Sequence, residues 1–141
     1  MFTFGREHEL KCASGKFKNK EEAKLLLDVV NVIHDYLEKS AAEERVTQVV
    51  KTALVEGPSG VWESAGSWLI KLGNENKVFL GIWRELAKSS KANTRFRVGA
   101  HLRYFPSELK TELYETLSND KSKRVREHVI GNWEFYEKNR T

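Results

Sequence analysis

The sequence predicts an all-α fold in which six to seven helices stack as antiparallel pairs, like a short solenoid. Apolar residues recur at helical spacing along most of the chain, and glycines and prolines fall mainly between these segments. Two segments near the C-terminus also share one pattern, as helical repeats do. With 141 residues, 40% of them hydrophobic, the chain is expected to form a single repeat domain, 1–141. A plain helical bundle is the alternative architecture.

The first half of the chain is expected to contain three long helices. They follow a poorly defined segment, 1–18, that holds at most a short helix near its middle. Asn19 and Ser40 are each followed three residues later by glutamate, the capping-box pattern that precedes a helix. The segment Gly57-Pro-Ser-Gly60 predicts a turn between two helices. The predicted helices are 23–39, 41–56 and 61–72.

The second half is expected to contain four shorter helices. Thr94 is the predicted N-cap of the second of these, and Pro106 occupies a first-turn position where its missing N–H costs nothing. Either Asp120 or Ser122 is the predicted cap of the last helix. The predicted helices are 77–88, 94–105, 106–118 and 122–138.

A repeat links the last two helix pairs. The segment Arg95-Phe-Arg97 aligns with Arg124-Val-Arg126, and each segment follows a helix that ends in a leucine, Leu86 or Leu117. The two leucines are slightly further apart along the chain than the two arginine segments are. The clearest repeats therefore span residues 77–138, which favours stacked helix pairs over a plain bundle.

This repeat resembles HEAT repeats. In that family the first helix of each pair ends near an aspartate, and the second opens with an arginine three residues before a small apolar residue. Asp120 matches the acidic position, Arg97 and Arg126 match the arginine, and Ala100 and Val129 match the apolar residue. The resemblance implies a short HEAT-like α-solenoid whose second helices line a concave face.

The charge of the chain is unevenly distributed. The net charge is +4, but residues 1–70 hold 9 Lys and Arg against 11 Asp and Glu, whereas residues 71–141 hold 15 against 9. Five cations stand between Glu85 and Glu108 with no acid among them: Lys88, Lys91, Arg95, Arg97 and Arg103. A negatively charged partner is expected, either an acidic protein surface or a polyphosphate.

Signals of catalysis, cofactors and membrane insertion are missing from the sequence. It contains no GxSxG, GxxxxGKS, HExxH or paired CxxC pattern, so we expect a protein that is not an enzyme and holds no cofactor or metal. No apolar run approaches the roughly 20 residues that span a bilayer. The start lacks the apolar core of a signal peptide, and the single cysteine, Cys12, fits a reducing compartment. We therefore expect a cytoplasmic protein.

Two pairs of polar residues are weaker candidates for sites. His8 and Cys12 lie four residues apart and could share a metal on a helix, but no second pair is in reach to complete three or four ligands. Asp28 and Asp35 could act as paired carboxylates, although their stripe also carries Lys24 and favours a solvated helix face.

The candidate binding residues follow from the expected concave face. Nine polar residues of the second helices are predicted to bind a protein partner: Glu63, Ser67, Lys71, Arg97, His101, Arg103, Arg126, His128 and Asn132. The alternative is that Arg97 and Arg126 are structural and pair with acids or carbonyls of neighbouring turns. The four tryptophans have core spacing, although interface hot spots favour this residue.

Two functions are compatible with these observations. A short chain that resembles helical repeats and lacks catalytic motifs is similar to bacterial immunity proteins, which bind a cognate toxin domain and block it. This resemblance implies a non-catalytic inhibitor. The alternative is a HEAT-like nucleic-acid-binding protein that uses the basic C-terminal half, with Phe96, Tyr104 and Phe105 as aromatic contacts.

Overall fold

A computed structural model describes residues 5–15 and 20–139 of the chain. This part contains eight α-helices, two short 3-10 turns and no strand, which confirms the all-α class. The helices are α1 (Arg6–Gly15), α2 (Lys20–Leu37), α3 (Glu43–Glu56), α4 (Val61–Glu75), α5 (Leu80–Leu86), α6 (Ala92–Ala100), α7 (Ser107–Leu117) and α8 (Lys123–Lys138). The count exceeds the expected six to seven because α1 forms a separate helix. None of these helices is long and apolar enough to cross a membrane.

Residue contacts divide the chain into two compact units. The N-terminal unit is Met1–Glu75, and the C-terminal unit is Asn76–Thr141. In the first, α2 packs against α1, α3 and α4; in the second, α5 packs against α6, and α8 packs against both α6 and α7. The expectation of one domain over 1–141 stays a prediction.

Helix α2 forms the centre of the N-terminal unit. Leu26, Val29, Val30 and Ile33 are at most 1% exposed, and their three- and four-residue spacing places them on one side of the helix. The opposite stripe is polar. There, Arg6 of α1 donates to Asp35 Oδ1 at 2.7 Å and to Glu38 Oε2 at 3.0 Å, so this stripe anchors α1 as well as facing water.

The predicted capping box at Ser40 is wrong. Helix α3 begins at Glu43, and its N-cap residue, Ala42, makes no side-chain capping bond. Lys39 adopts a positive φ of 65° and ends α2, so Ser40 belongs to that helix end. Both the N–H and the hydroxyl of Ser40 donate to the Asp35 carbonyl. The other predicted capping residue, Asn19, lies outside the described residues.

The predicted Gly-Pro-Ser-Gly turn is confirmed between α3 and α4. The Gly57 N–H donates to the Ala53 carbonyl at 2.9 Å, and Gly60 has a positive φ of 89°. Glu63 caps the start of α4 by accepting from the Gly60 N–H at 2.7 Å. The far end of α4 is longer than predicted, because Gly73 is buried inside the helix and does not terminate it.

The helix bounds of the C-terminal unit differ from the prediction near Thr94. Helix α6 begins at Ala92, and Thr94 is only 3% exposed within its first turn, so Thr94 is a core residue and not the N-cap. The helix ends at Ala100 and is followed by a 3-10 turn, Leu102–Tyr104. Pro106 precedes the first residue of α7. Ser122 caps α8 as predicted, with its hydroxyl accepting from the Val125 N–H.

The core of the C-terminal unit contains the apolar residues that helical spacing predicts. Leu109, Leu113 and Leu117 of α7 are at most 3% exposed. A second core cluster surrounds Trp83 of α5, whose ring is 5.0 Å from that of His101 and 4.8 Å from that of Phe105, measured between centroids. Trp83 is fully buried, so this tryptophan is a core residue.

Helices α6 and α8 lie side by side and run in the same direction. The rings of Phe96 and His128 are 4.2 Å apart, and a Cβ atom added to Gly99 would lie only 2.7 Å from Val129 Cγ2. Further along, Ala100 and Asn132 line one recess. These contacts advance together along both helices, as expected for a parallel pair.

We expect Gly99→Ala to lower the free energy of unfolding by about 1–3 kcal/mol, because the added methyl group overpacks the contact with the buried Val129. Chemical denaturation measures the change. Gly131→Ala is the matched control: nothing lies within 4 Å of the position that its methyl group would take, so higher helix propensity should stabilise the protein by up to about 1 kcal/mol. Equal effects of the two substitutions would contradict the close α6–α8 approach.

Candidate partner-binding surface

A buried ion pair joins α6 to the turn between α7 and α8. Arg95 Nε donates to Asp120 Oδ2 at 2.8 Å, and Arg95 Nη2 donates to Asp120 Oδ1 at 3.1 Å. Both side chains are only 6% exposed. Each side chain has a further partner, since Arg95 Nη1 donates to the Ser89 carbonyl and Asp120 Oδ1 accepts from the Ser122 N–H, each at 2.8 Å. The two-pronged geometry and these added hydrogen bonds offset the desolvation of both charges.

The ionisation of Asp120 follows from these contacts. Burial by itself would raise the pKa of Asp120, but the Arg95 hydrogen bond, the Ser122 N–H and the nearby positive charges outweigh burial. The pKa of Asp120 is therefore held below its ordinary value. The carboxylate is ionised in the folded protein at neutral pH, as the ion pair requires.

The same turn geometry occurs twice in the C-terminal unit. Arg95 Nη1 donates to the Ser89 carbonyl, and Arg126 Nη1 donates to the Asp120 carbonyl at 2.6 Å. Ser89 Oγ also accepts from the Lys91 N–H, just as Asp120 Oδ1 accepts from the Ser122 N–H. Each arginine thus binds the carbonyl six positions before it.

These hydrogen bonds identify the structural counterpart of Arg126 as Arg95. The predicted alignment, which paired Arg126 with Arg97 and Arg124 with Arg95, is therefore wrong by two positions. The leucines that end the preceding helices, Leu86 and Leu117, agree with the corrected alignment, because their separation equals that of Arg95 and Arg126.

An exposed surface lies beside this buried pair, along α6, the following 3-10 turn and α8. We call it the cationic–aromatic surface and define it by Phe96, Arg103, Tyr104, Arg124, His128 and Asn132. The guanidinium carbon of Arg124 lies 3.8 Å from the ring centroid of Phe96, and that of Arg103 lies 4.6 Å from the ring centroid of Tyr104. Tyr104 is 53% exposed. Each arginine thus rests on an aromatic ring with its charge available to solvent.

A small recess opens within the surface. It has a volume of about 150 Å³ and is lined by Gly99, Ala100, Arg103, Tyr104 and Asn132. Two of these residues are small, so α6 contributes little side chain to the recess. The other three supply a guanidinium, a phenol and an amide. The recess therefore combines a cation and polar groups with room for part of a ligand side chain.

His128 contributes a neutral ring to the surface. Burial lowers the pKa of His128, and the charge of Arg124 lowers it further. Asn132 Nδ2 lies 3.0 Å from His128 Nε2. An amide nitrogen can only donate, so Nε2 accepts and the ring proton resides on Nδ1. At neutral pH the positive charge of the surface therefore comes from Arg103 and Arg124.

Three of the predicted site residues meet on this surface: Arg103, His128 and Asn132. Arg126 lies instead at the α7–α8 turn and binds a carbonyl there, in agreement with its structural alternative. His101 is 5% exposed against Trp83, and its Nδ1 donates to the Arg97 carbonyl at 2.8 Å. Arg97 itself is half-buried. The predicted Arg97–His101 strip therefore presents less surface than a helical wheel indicates.

The other three predicted residues belong to α4 in the N-terminal unit. Glu63, Ser67 and Lys71 are all exposed. Glu63 caps its own helix, Ser67 donates to the Glu63 carbonyl at 3.2 Å, and the Lys71 ammonium lies 5.7 Å from the ring centroid of Trp68. Their assignment to a binding strip stays a prediction.

Sequence reasoning did not place Phe96, Tyr104 and Arg124 among the site residues. The two aromatics were considered only as nucleic-acid contacts, and Phe105, grouped with them, is 3% exposed. The corrected alignment could have found Arg124. It matches Arg95 with Arg126 and leaves Arg124, which the predicted alignment paired with Arg95, without an arginine counterpart.

The weaker candidate sites of the N-terminal unit have simple local explanations. Cys12 Sγ lies 3.4 Å from His8 Nε2 on an exposed face. Within the described ranges, no group of three or more His, Cys, Asp and Glu side chains could hold a metal ion. Asp28 pairs with Lys24 at 2.9 Å, whereas Asp35 pairs with Arg6, so the two carboxylates have separate partners.

No protein-family model, curated protein or solved structure matches this chain. Its function is therefore inferred from the geometry and charge of the surface itself.

We expect Asp120→Asn to lower the free energy of unfolding by about 3–5 kcal/mol, because the substitution leaves the buried Arg95 charge without its counterion. Denaturant titration near neutral pH measures this loss. Glu112→Gln is the matched control, since it breaks the exposed Arg84–Glu112 pair, which should contribute at most about 1 kcal/mol. A loss of similar size in both variants would contradict a structural role for the buried pair.

Asp120 also predicts a pH dependence of stability. Its pKa is lower in the folded than in the unfolded protein, so the unfolded state takes up a proton first as the pH falls. The stabilisation is present above the ordinary Asp pKa of 3.8 and is lost as the pH falls toward the folded value. We expect the stability difference between wild type and Asp120→Asn to shrink as the pH falls from about 5 to below 3.8, measured by denaturation at each pH. A constant difference would contradict this assignment.

Proposed function

We propose that this chain is a non-catalytic protein-binding module, and that it acts as a small inhibitor that binds and neutralises a cognate toxin domain in the cytoplasm. Support comes from the resemblance to immunity proteins together with a HEAT-like arrangement of helix pairs. The parallel α6 and α8, and the turn geometry that recurs at Ser89 and Asp120, support such an arrangement. The likeness to immunity proteins is an analogy at the level of the fold.

The observation that carries this proposal is the cationic–aromatic surface. Its two arginines rest on aromatic rings; Arg124 lies on α8 and Arg103 in the 3-10 turn that follows α6, and these two helices pack together at Gly99 and Val129. Aromatic residues and arginine are enriched at the centres of protein interfaces. Because the rings and helices restrict the arginines before binding, less conformational entropy is lost when a partner arrives.

Charge indicates the kind of partner. Residues 76–141 contain 14 Lys and Arg against 8 Asp and Glu, a net charge of +6. One of these cations, Arg95, is neutralised inside the protein by Asp120. The exposed Arg103 and Arg124 remain to attract an acidic surface, such as one that surrounds a toxin's active site.

Nucleic-acid binding is the second candidate function. It is favoured by the pairing of exposed arginines with aromatic rings, because bases can stack on both groups. Tyr104 presents the more accessible of the two rings. Binding of this kind would depend steeply on salt, since each phosphate contact releases counterions.

We expect affinity capture from the native cell to recover one stoichiometric protein with wild type, and much less of it with Arg103→Glu/Arg124→Glu. Addition of this protein's isolated binding domain to the chain should also abolish the domain's toxic activity at equimolar ratio. Lys123→Glu is the control for a single charge reversal, because Lys123 is exposed on the same α8 but pairs with Glu127. Binding of mixed-sequence oligonucleotides at low ionic strength, with no protein recovered, would favour the second function.

A further inference from the structure

We infer that the cationic–aromatic surface binds an acidic segment of the partner chain, with one carboxylate in the recess and a second at Arg124. This inference rests on the proposed protein-binding function and specifies the partner's chemistry. It is drawn from the arrangement of donors along the cationic–aromatic surface, from the recess to Arg124.

The recess provides donors for one carboxylate. Arg103 donates to the Tyr104 hydroxyl and lies over the ring of the same residue, so its guanidinium is held at the edge of the recess. Across the recess, Asn132 uses one amide N–H toward His128 and retains a second. Gly99 and Ala100 leave space between these groups for the methylene carbons of an acidic side chain. A guanidinium and an amide are both suited to a carboxylate.

The second cation, Arg124, lies at the other end of the cationic–aromatic surface. Arg124 rests on Phe96, and among the described residues neither Arg103 nor Arg124 forms an ion pair. The nearest acid along α8, Glu127, pairs with Lys123 at 3.8 Å. Arg124 and Asn132 are eight residues apart on one helix, so their Cα atoms are separated by about 12 Å. The surface thus offers a cation at each end, with the neutral His128 between Arg124 and the recess.

This spacing favours an acidic peptide over a nucleic-acid strand. The phosphates of one DNA strand recur about every 3.4 Å along the helix axis, so a strand laid along this surface would place phosphates beside its neutral part as well as beside the two cations. Here the neutral His128 lies between Arg124 and the recess, and its ring accepts from the amide of Asn132. Two acidic residues four positions apart in an extended chain are separated by about 13 Å, which is close to the separation of about 12 Å between the Cα atoms of Arg124 and Asn132.

The test uses the full-length, isotopically labelled protein and a capped nonapeptide of glycine and serine with glutamate at its third and seventh positions. We expect saturable NMR shifts at the Gly99 and Ala100 amides and at the Asn132 side-chain amide. Arg103→Gln and Arg124→Gln should each weaken binding about tenfold, because each removes a charge-assisted hydrogen bond. Lys123→Gln should change the affinity less than twofold. Backbone spectra of the free variants check that each one is folded.

Three results would overturn the inference: no saturable shift, equal binding of the peptide with glutamines in place of both glutamates, or tighter binding of a nine-nucleotide single strand to the same residues. Partner binding provides a separate check. If Arg103→Gln/Arg124→Gln retains a captured protein partner at wild-type affinity, the acidic-segment inference is wrong and the proposed module function stands. If no protein partner exists, the proposed function itself fails.

Discussion

The ion pair between Arg95 and Asp120 is the contact on which the C-terminal unit depends. It joins residues 25 positions apart and places the first turn of α6 against the turn between α7 and α8. Both charged groups are almost fully enclosed, so any shift between these elements would leave one charge buried without its partner. The Asp120 carbonyl also accepts from Arg126, and its carboxylate accepts from the Ser122 N–H, so one residue organises the whole turn.

This internal contact determines where the exposed cations lie. With the start of α6 held, Phe96 packs on His128 and Gly99 packs on Val129. Arg103 and Asn132 then share one recess, and Arg124 covers Phe96. The three arginines therefore differ in their surroundings. Arg95 is buried and stabilises the fold, whereas Arg103 and Arg124 are exposed.

Helical spacing was sufficient to predict the class of the fold and much of its core. Leu109, Leu113 and Leu117 are buried as their spacing indicates, and Ser122 caps α8. Local sequence patterns were less reliable at the starts of helices. Ser40 is followed three residues later by glutamate, as in a capping box. The left-handed backbone at Lys39 instead places Ser40 at the end of α2, where its hydroxyl donates to the Asp35 carbonyl. The burial of Arg95 was not predictable from helical spacing, because its partner, Asp120, lies outside α6 in the turn between α7 and α8. The predicted alignment therefore paired Arg95 with Arg124, at an offset of 29 residues, in place of Arg126, at an offset of 31.

Arg95 and Asp120 are expected to stabilise the C-terminal unit as one coupled pair. A double-mutant cycle of Arg95→Met, Asp120→Asn and the double variant, followed by denaturant unfolding, tests this coupling most directly. The asparagine introduced by Asp120→Asn can still accept from the Ser122 N–H, so the cycle isolates the charge interaction. We predict that the two single losses together exceed the loss in the double variant by about 2–3 kcal/mol. Losses that add to within about 0.5 kcal/mol would contradict the coupling.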